Sequence, residues 1–85
     1  MYKLFTANNK AKKRLRQYIK LRPSIKEILD RLRENPRKEA GAHPLHGRLK
    51  GKWGCWLGSN IRVIYTINDK EKSITIQAVG SHKIY

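Results

Sequence analysis

Three histidines, one strand-borne arginine and a C-terminal tyrosine are the side chains of this sequence best suited to chemistry at a phosphate. His43, His46 and His82 exchange protons near neutral pH. Arg62 stands in Asn60-Ile61-Arg62-Val63-Ile64-Tyr65, and a guanidinium holds a phosphate in a two-pronged fork. Lys50 and Lys52 bracket Gly51 and suit phosphate contact. Lys83 follows His82. Trp56 offers a face on which a base can stack, and the phenol of Tyr85 can stack or donate a proton. Cleaving RNA without a metal needs three things: a 2′-hydroxyl that loses its proton, a stabilised pentavalent phosphate, and a proton for the leaving 5′-oxygen. Histidines and an arginine supply that set. The i,i+3 pair His43 and His46 has no carboxylate or thiolate beside it and makes a poor metal site. No metal and no other cofactor is expected.

The balance of charge names the partner. Twenty Lys and Arg face six Asp and Glu, for a formal charge of +14 and a pI near 10.5. No fold requires that excess, and it favours a polyanion. A surface built from ion-pair networks would carry acids beside its bases, and six acids cannot pair with twenty bases. The single Cys55 excludes an internal disulfide and suits a buried packing role in a reducing compartment. No apolar run approaches membrane-spanning length, and Lys3 and Lys10 interrupt any signal-peptide core. One domain over 1–85, cytoplasmic and without a membrane partner, is the expectation.

These residues need elements to hold them. Residues 2–6 alternate as a short strand, with Asn8 or Asn9 positioned to cap the next element. Ala11, Leu15, Tyr18 and Ile19 fall at helical spacing over about 9–20, ringed by Lys10, Lys12, Lys13, Arg14, Arg16 and Lys20. Lys12, Lys13 and Arg16 on that cationic face suit salt-sensitive docking to RNA. Pro23-Ser24 opens a second helix striped by Ile25, Ile28, Leu29 and Leu32. Ser24 and Glu27 have capping-box spacing, and Asn35-Pro36 ends the helix. Residues 37–47 read as a loop. A strand over about 48–57 places Trp53, Cys55 and Leu57 on one face and Trp56 on the other. Ile61, Val63, Tyr65 and Ile67 then alternate with Arg62, Ile64 and Thr66. Asn68–Lys72 is a hairpin loop, and Ile74, Ile76 and Ala78 mark the last strand. The order β-α-α-β-β-β predicts an α+β fold, with a helical hairpin packed on one face of a small antiparallel sheet. The face carrying Arg62 is expected to stay open.

Three stretches in order, His43–Trp53, Asn60–Tyr65 and Val79–Tyr85, resemble the RelE/ParE superfamily of toxins from toxin–antitoxin systems. The pieces are a glycine-containing strand entry, an "RVIY" strand and a "VGxHxxxY"-like end, and with the preceding helical hairpin the resemblance covers nearly the whole chain. It implies a ribosome-dependent, metal-free mRNA endoribonuclease (an mRNA interferase of the RelE or YafQ kind) that inhibits translation. The implied partners are mRNA and ribosomal RNA in the A site, and a cognate antitoxin with an acidic toxin-binding tail. In YafQ-like members His43 and His82 match catalytic positions, and in RelE-like members Arg62 and Tyr85 do. Gly54-Cys55-Trp56 stands where the relatives carry lysines or a histidine, and Ser59-Asn60 where YafQ carries an aspartate. The general base is thus unassigned. A ParE-like poison of DNA gyrase and a non-catalytic RNA-binding domain are the alternative readings.

Overall fold

The computed structural model describes residues 1–58 and 60–81. Strand β1, Lys3–Thr6, opens the chain. Helix α1, Asn9–Leu21, begins where the side chain of Asn8 accepts the Ala11 N–H at 2.8 Å. That bond satisfies one of the first-turn donors a helix leaves unpaired. Helix α2, Ser24–Glu34, comes after Arg22-Pro23. The capping box expected at Ser24 does not form. Pro23 holds the cap position, Ser24 is already helical, and no side chain caps the turn. Backbone bonds Ile25 N–H to Arg22 and Lys26 N–H to Pro23 close it instead.

Four further strands complete a five-stranded sheet: β2 (His43–Pro44), β3 (Trp53–Trp56), β4 (Arg62–Asn68) and β5 (Ser73–Gly80). Their spatial order is β1-β5-β4-β3-β2. The α+β class and the helical hairpin on one face are as expected, but the sheet is mixed. β1 pairs parallel to β5, with Leu4 beside Ile74 and Thr6 beside Ile76. The two helices carry the chain from β1 across to β2 at the far edge, and the antiparallel run β2-β3-β4-β5 then returns to β1 with β5 parallel to it.

The stretch 37–57 also differs from expectation. β2 lies inside the expected loop and pairs antiparallel with β3, His43 opposite Gly54 and Pro44 opposite Trp53. Residues 48–52 are not strand. Gly47–Leu49 forms a 3₁₀ turn, and Gly47 and Gly51 adopt φ of 65° and 91°. Those left-handed positions reverse the chain where a β-branched residue would resist. The result is a broad β2–β3 hairpin rather than one long strand.

Alternation then sorts the sheet into two faces. Cys55, Leu57, Val63, Tyr65, Ile74, Ile76 and Val79 join Ala11, Leu15, Ile25, Leu29 and Leu32 in one apolar core. Cys55 packs there as expected, and burial pushes its thiol up to about 12, which keeps it protonated and unreactive. The Tyr65 hydroxyl donates to the carbonyl of Pro36, satisfying the one polar atom its burial would otherwise strand.

Outside the core, the β4–β5 turn is tied to the segment after α2. Arg37 donates to both carboxylate oxygens of Asp69, at 3.0 and 2.8 Å, and the Tyr2 hydroxyl donates to it at 2.7 Å. Arg37 first, then Tyr2, holds the Asp69 carboxyl down to about 2 against an ordinary 3.8. A carboxyl lowered in the folded state stabilises fully above its unfolded value and loses that contribution as pH falls through its folded value. Asp69→Asn should therefore melt below the parent at pH 6. The gap should close between about pH 4 and 2, as followed by circular dichroism.

Candidate functional site

The sheet face turned away from the helices carries several of the candidate residues. Cross-strand partners project to the same side, so the register defines two adjacent rows. One row is Trp56, Arg62 and Gly80, and the other is His43, Gly54, Ile64 and Ala78. Arg62 begins β4, the central strand of the five. Its guanidinium lies 3.8 Å from the centre of the Trp56 indole. A cation at that distance is held by the electron-rich ring face. Stacking also fixes the plane of the fork, and a fork must be aimed before it can grip a phosphate.

His43 faces the same side from β2. Its Nδ1 lies 3.0 Å from the carbonyl oxygen of Gly41. A carbonyl only accepts, so Nδ1 carries the proton, and the neutral ring keeps its lone pair on Nε2. That tautomer can take a proton from a substrate hydroxyl. Strand spacing and rise put the His43 and Arg62 Cα atoms roughly 12 Å apart, within reach of one phosphodiester between two long side chains. Lys52 lies one residue before β3, at the foot of the hairpin.

The expected site residues do not all gather here. His46 and Lys50 lie exposed on the β2–β3 hairpin loop, at the edge of the sheet. Lys12, Lys13 and Arg16 line a shallow groove along the outward side of α1, with Lys20. That groove belongs to the helical layer, on the other side of the sheet from Arg62, so it forms a second cationic surface. His82, Lys83 and Tyr85 lie outside the described residues. The open-face expectation needs one correction: Ile64, beside Arg62, is only 3% exposed. Among the described residues no cluster of three His, Cys, Asp or Glu side chains could hold a metal ion.

One positioning contact escaped sequence reasoning. Gly41, in a short 3₁₀ turn over Glu39–Gly41, adopts φ +66°, and a Cβ there would sit 3.0 Å from Cδ1 of Trp56. Glycine thus allows the turn to lie against the indole that supports Arg62. Neither the φ nor the approach has a local signature. Gly41→Val should strain the turn and displace Trp56 while leaving the core intact. We expect activity to fall about tenfold or more, with a changed tryptophan emission as the direct readout.

Comparison with known proteins identifies the family and the fold. The family model of YafQ, a bacterial toxin of type II toxin–antitoxin systems, matches residues 2–84. No curated protein sequence is a significant match. A metal-bound toxin from Helicobacter pylori is similar in structure, with a TM-score of 0.75, 25% identity and 100% of both chains covered. YafQ from E. coli strain BL21(DE3) superposes with a TM-score of 0.70 at 19% identity, over 98% of this chain and 96% of that one. In the YoeB–YefM complex from Staphylococcus aureus, a chain superposes with a TM-score of 0.73 at 18% identity, over 96% of this chain and 98% of that one. The shared fold and the match along almost the whole sequence place this chain in the YafQ family of type II toxin–antitoxin toxins.

Proposed function

We propose that this toxin is a ribosome-dependent mRNA endoribonuclease that works without a metal and is neutralised by a cognate antitoxin. The observation that carries the reading is Arg62, stacked on Trp56, on the sheet face it shares with His43. In the proposed reaction His43 Nε2 takes the proton of a ribose 2′-hydroxyl. The 2′-oxygen attacks the adjacent phosphorus as the bond from phosphorus to the 5′-oxygen breaks. Arg62 holds the charge that builds on the phosphate oxygens. His82 gives the leaving oxygen its proton, and the products are a 2′,3′-cyclic phosphate and a 5′-hydroxyl. Trp56 and Tyr85 stack bases, Lys50, Lys52 and Lys83 draw the phosphates, and His46 lies on the substrate side. The α1 groove of Lys12, Lys13 and Arg16 docks ribosomal RNA. An acidic antitoxin tail suits a +14 chain, and YoeB is seen bound to YefM.

The experiment is induced expression in a bacterial host with transcript ends mapped. Growth should arrest, with transcripts cut inside reading frames. Arrest with intact transcripts and a supercoiling defect would assign the chain to the gyrase poisons instead. Binding to ribosomes should also weaken steeply with salt, with a log–log slope several units negative, because each phosphate contact releases counterions. A flat response would exclude a polyanion as the partner.

A further inference from the structure

β1 stops short of its neighbour. Its pairing with β5 ends at Thr6 beside Ile76, and the Ala7 N–H makes the last bond, to the Ile76 carbonyl at 2.8 Å. Residues 77–80 of β5 continue past that point without β1 beside them. The chain turns there into α1, and a cleft of about 300 Å³ opens between the first turns of α1 and this bare edge. Lys10, Arg14, Asn8 and Gln77 supply its polar lining.

A register irregularity between Ile64 and Tyr65 shapes the cleft. Ile64 pairs with Ala78 but Tyr65 pairs with Ile76, so Gln77 is the extra residue of a β-bulge. Bulges turn side chains out of the regular alternation. Here Gln77 keeps to the outer face, where its amide donates to the Thr66 hydroxyl at 3.3 Å. Gln77 also lines the cleft. Arg14 reaches the Val79 carbonyl through one guanidinium nitrogen at 3.5 Å. A guanidinium carries five N–H donors, so this long contact orients Arg14 and uses little of its capacity.

The route between Arg62 and this cleft is low. Arg62 has Gly80 opposite it on β5, and the next position on that side is held by Ala78. A glycine and an alanine raise no bulky side chain on that side of β5 between Arg62 and the cleft.

We propose that the α1–β5 cleft is a phosphate-binding subsite, taking a linkage of the RNA strand next to the one held at Arg62. This rests on the endoribonuclease reading above. Lys10 and Arg14 neutralise that flanking phosphate, Gln77 hydrogen-bonds its oxygen or sugar, and the strand crosses the sheet edge over Gly80 and Ala78. They act on binding and register, leaving the bond-breaking step to Arg62.

The test uses 2′-O-methyl RNA, which cannot be cut, as a dinucleotide and a hexanucleotide, with binding read by fluorescence anisotropy. The parent should bind the hexanucleotide about tenfold or more tighter than the dinucleotide. Lys10→Ala with Arg14→Ala should erase that gain and make the hexanucleotide salt slope shallower by about 0.7 for each lost contact. Arg14→Lys should restore part of it, and circular dichroism reports folding in every case. If the folded double variant keeps the full gain on lengthening, the subsite is wrong and the endoribonuclease reading stands. If both oligonucleotides weaken equally, the effect is general charge and the subsite is again wrong. If the parent binds neither, the subsite is wrong, and transcript mapping in the expressing host decides the endoribonuclease reading separately.

Discussion

Arg62→Ala will give a folded protein that cuts RNA at least about a hundredfold more slowly. Arg62 lies half-buried on the face opposite the core, so its loss opens no cavity among the residues packed under the helices. The structural cost is the stack on Trp56, worth about 0.5–1 kcal/mol at an accessible site. The catalytic cost is larger, because an always-charged fork aimed at developing negative charge acts mostly in the transition state. Arg62→Lys should recover only part of the rate, since an ammonium reproduces the charge and not the fork. His82→Ala should lose about a hundredfold to ten-thousandfold if it transfers a proton. Removing Tyr85 should matter less, at about 1–3 kcal/mol for a lost stack. Single-turnover cleavage on programmed ribosomes, with circular dichroism alongside, measures all of these. Full activity in folded Arg62→Ala and His82→Ala would strike both from the site and leave His43, His46, Lys50 and Lys52 as the residues to test next.

Leu32→Ala should remove a large share of the stability of the domain. Leu32 is 0% exposed, on the α2 face packed against the sheet. Truncating a buried leucine costs about 2–5 kcal/mol, the transfer of its methyl groups plus the cavity they leave. A chain of this length has roughly 5–13 kcal/mol in total. The melting midpoint should fall by about 10 °C or more. Leu21→Ala is the control: Leu21 is 77% exposed just before the bend into α2, and the change should stay within about 0.5 kcal/mol. A bound antitoxin would raise the midpoint of Leu32→Ala by mass action, because it binds the folded chain.

The helices were legible because their signals are local. Of the two asparagines the sequence offers as the α1 cap, Asn8 is the one used, and Ile25, Leu29 and Leu32 mark the buried stripe of α2 by spacing alone. The two faces of β4 were legible for the same reason, since Val63 and Tyr65 alternate with Arg62. The parallel pairing of β1 with β5 was not, because nothing within residues 3–6 records a partner some seventy positions away. β2 was missed because two residues carry no periodicity. The separation of the α1 lysines from Arg62 was legible too, since alternation put Arg62 on the sheet face away from the helical hairpin. Arg62 and Trp56 were both identified from the sequence, but their stacking depends on the β3–β4 register.

The parallel union of β1 and β5 also orders events in time. Closing a loop that spans almost the entire chain costs more entropy than forming the α1–α2 hairpin, whose contacts are local. The helices can therefore form early, while the sheet stays incomplete until its last strand arrives. The row that carries Arg62 includes Gly80, at the end of that last strand. A partly folded chain would thus display the cationic helix before the Arg62 row is complete. It would be able to cling to polyanions some time before that face existed to receive them.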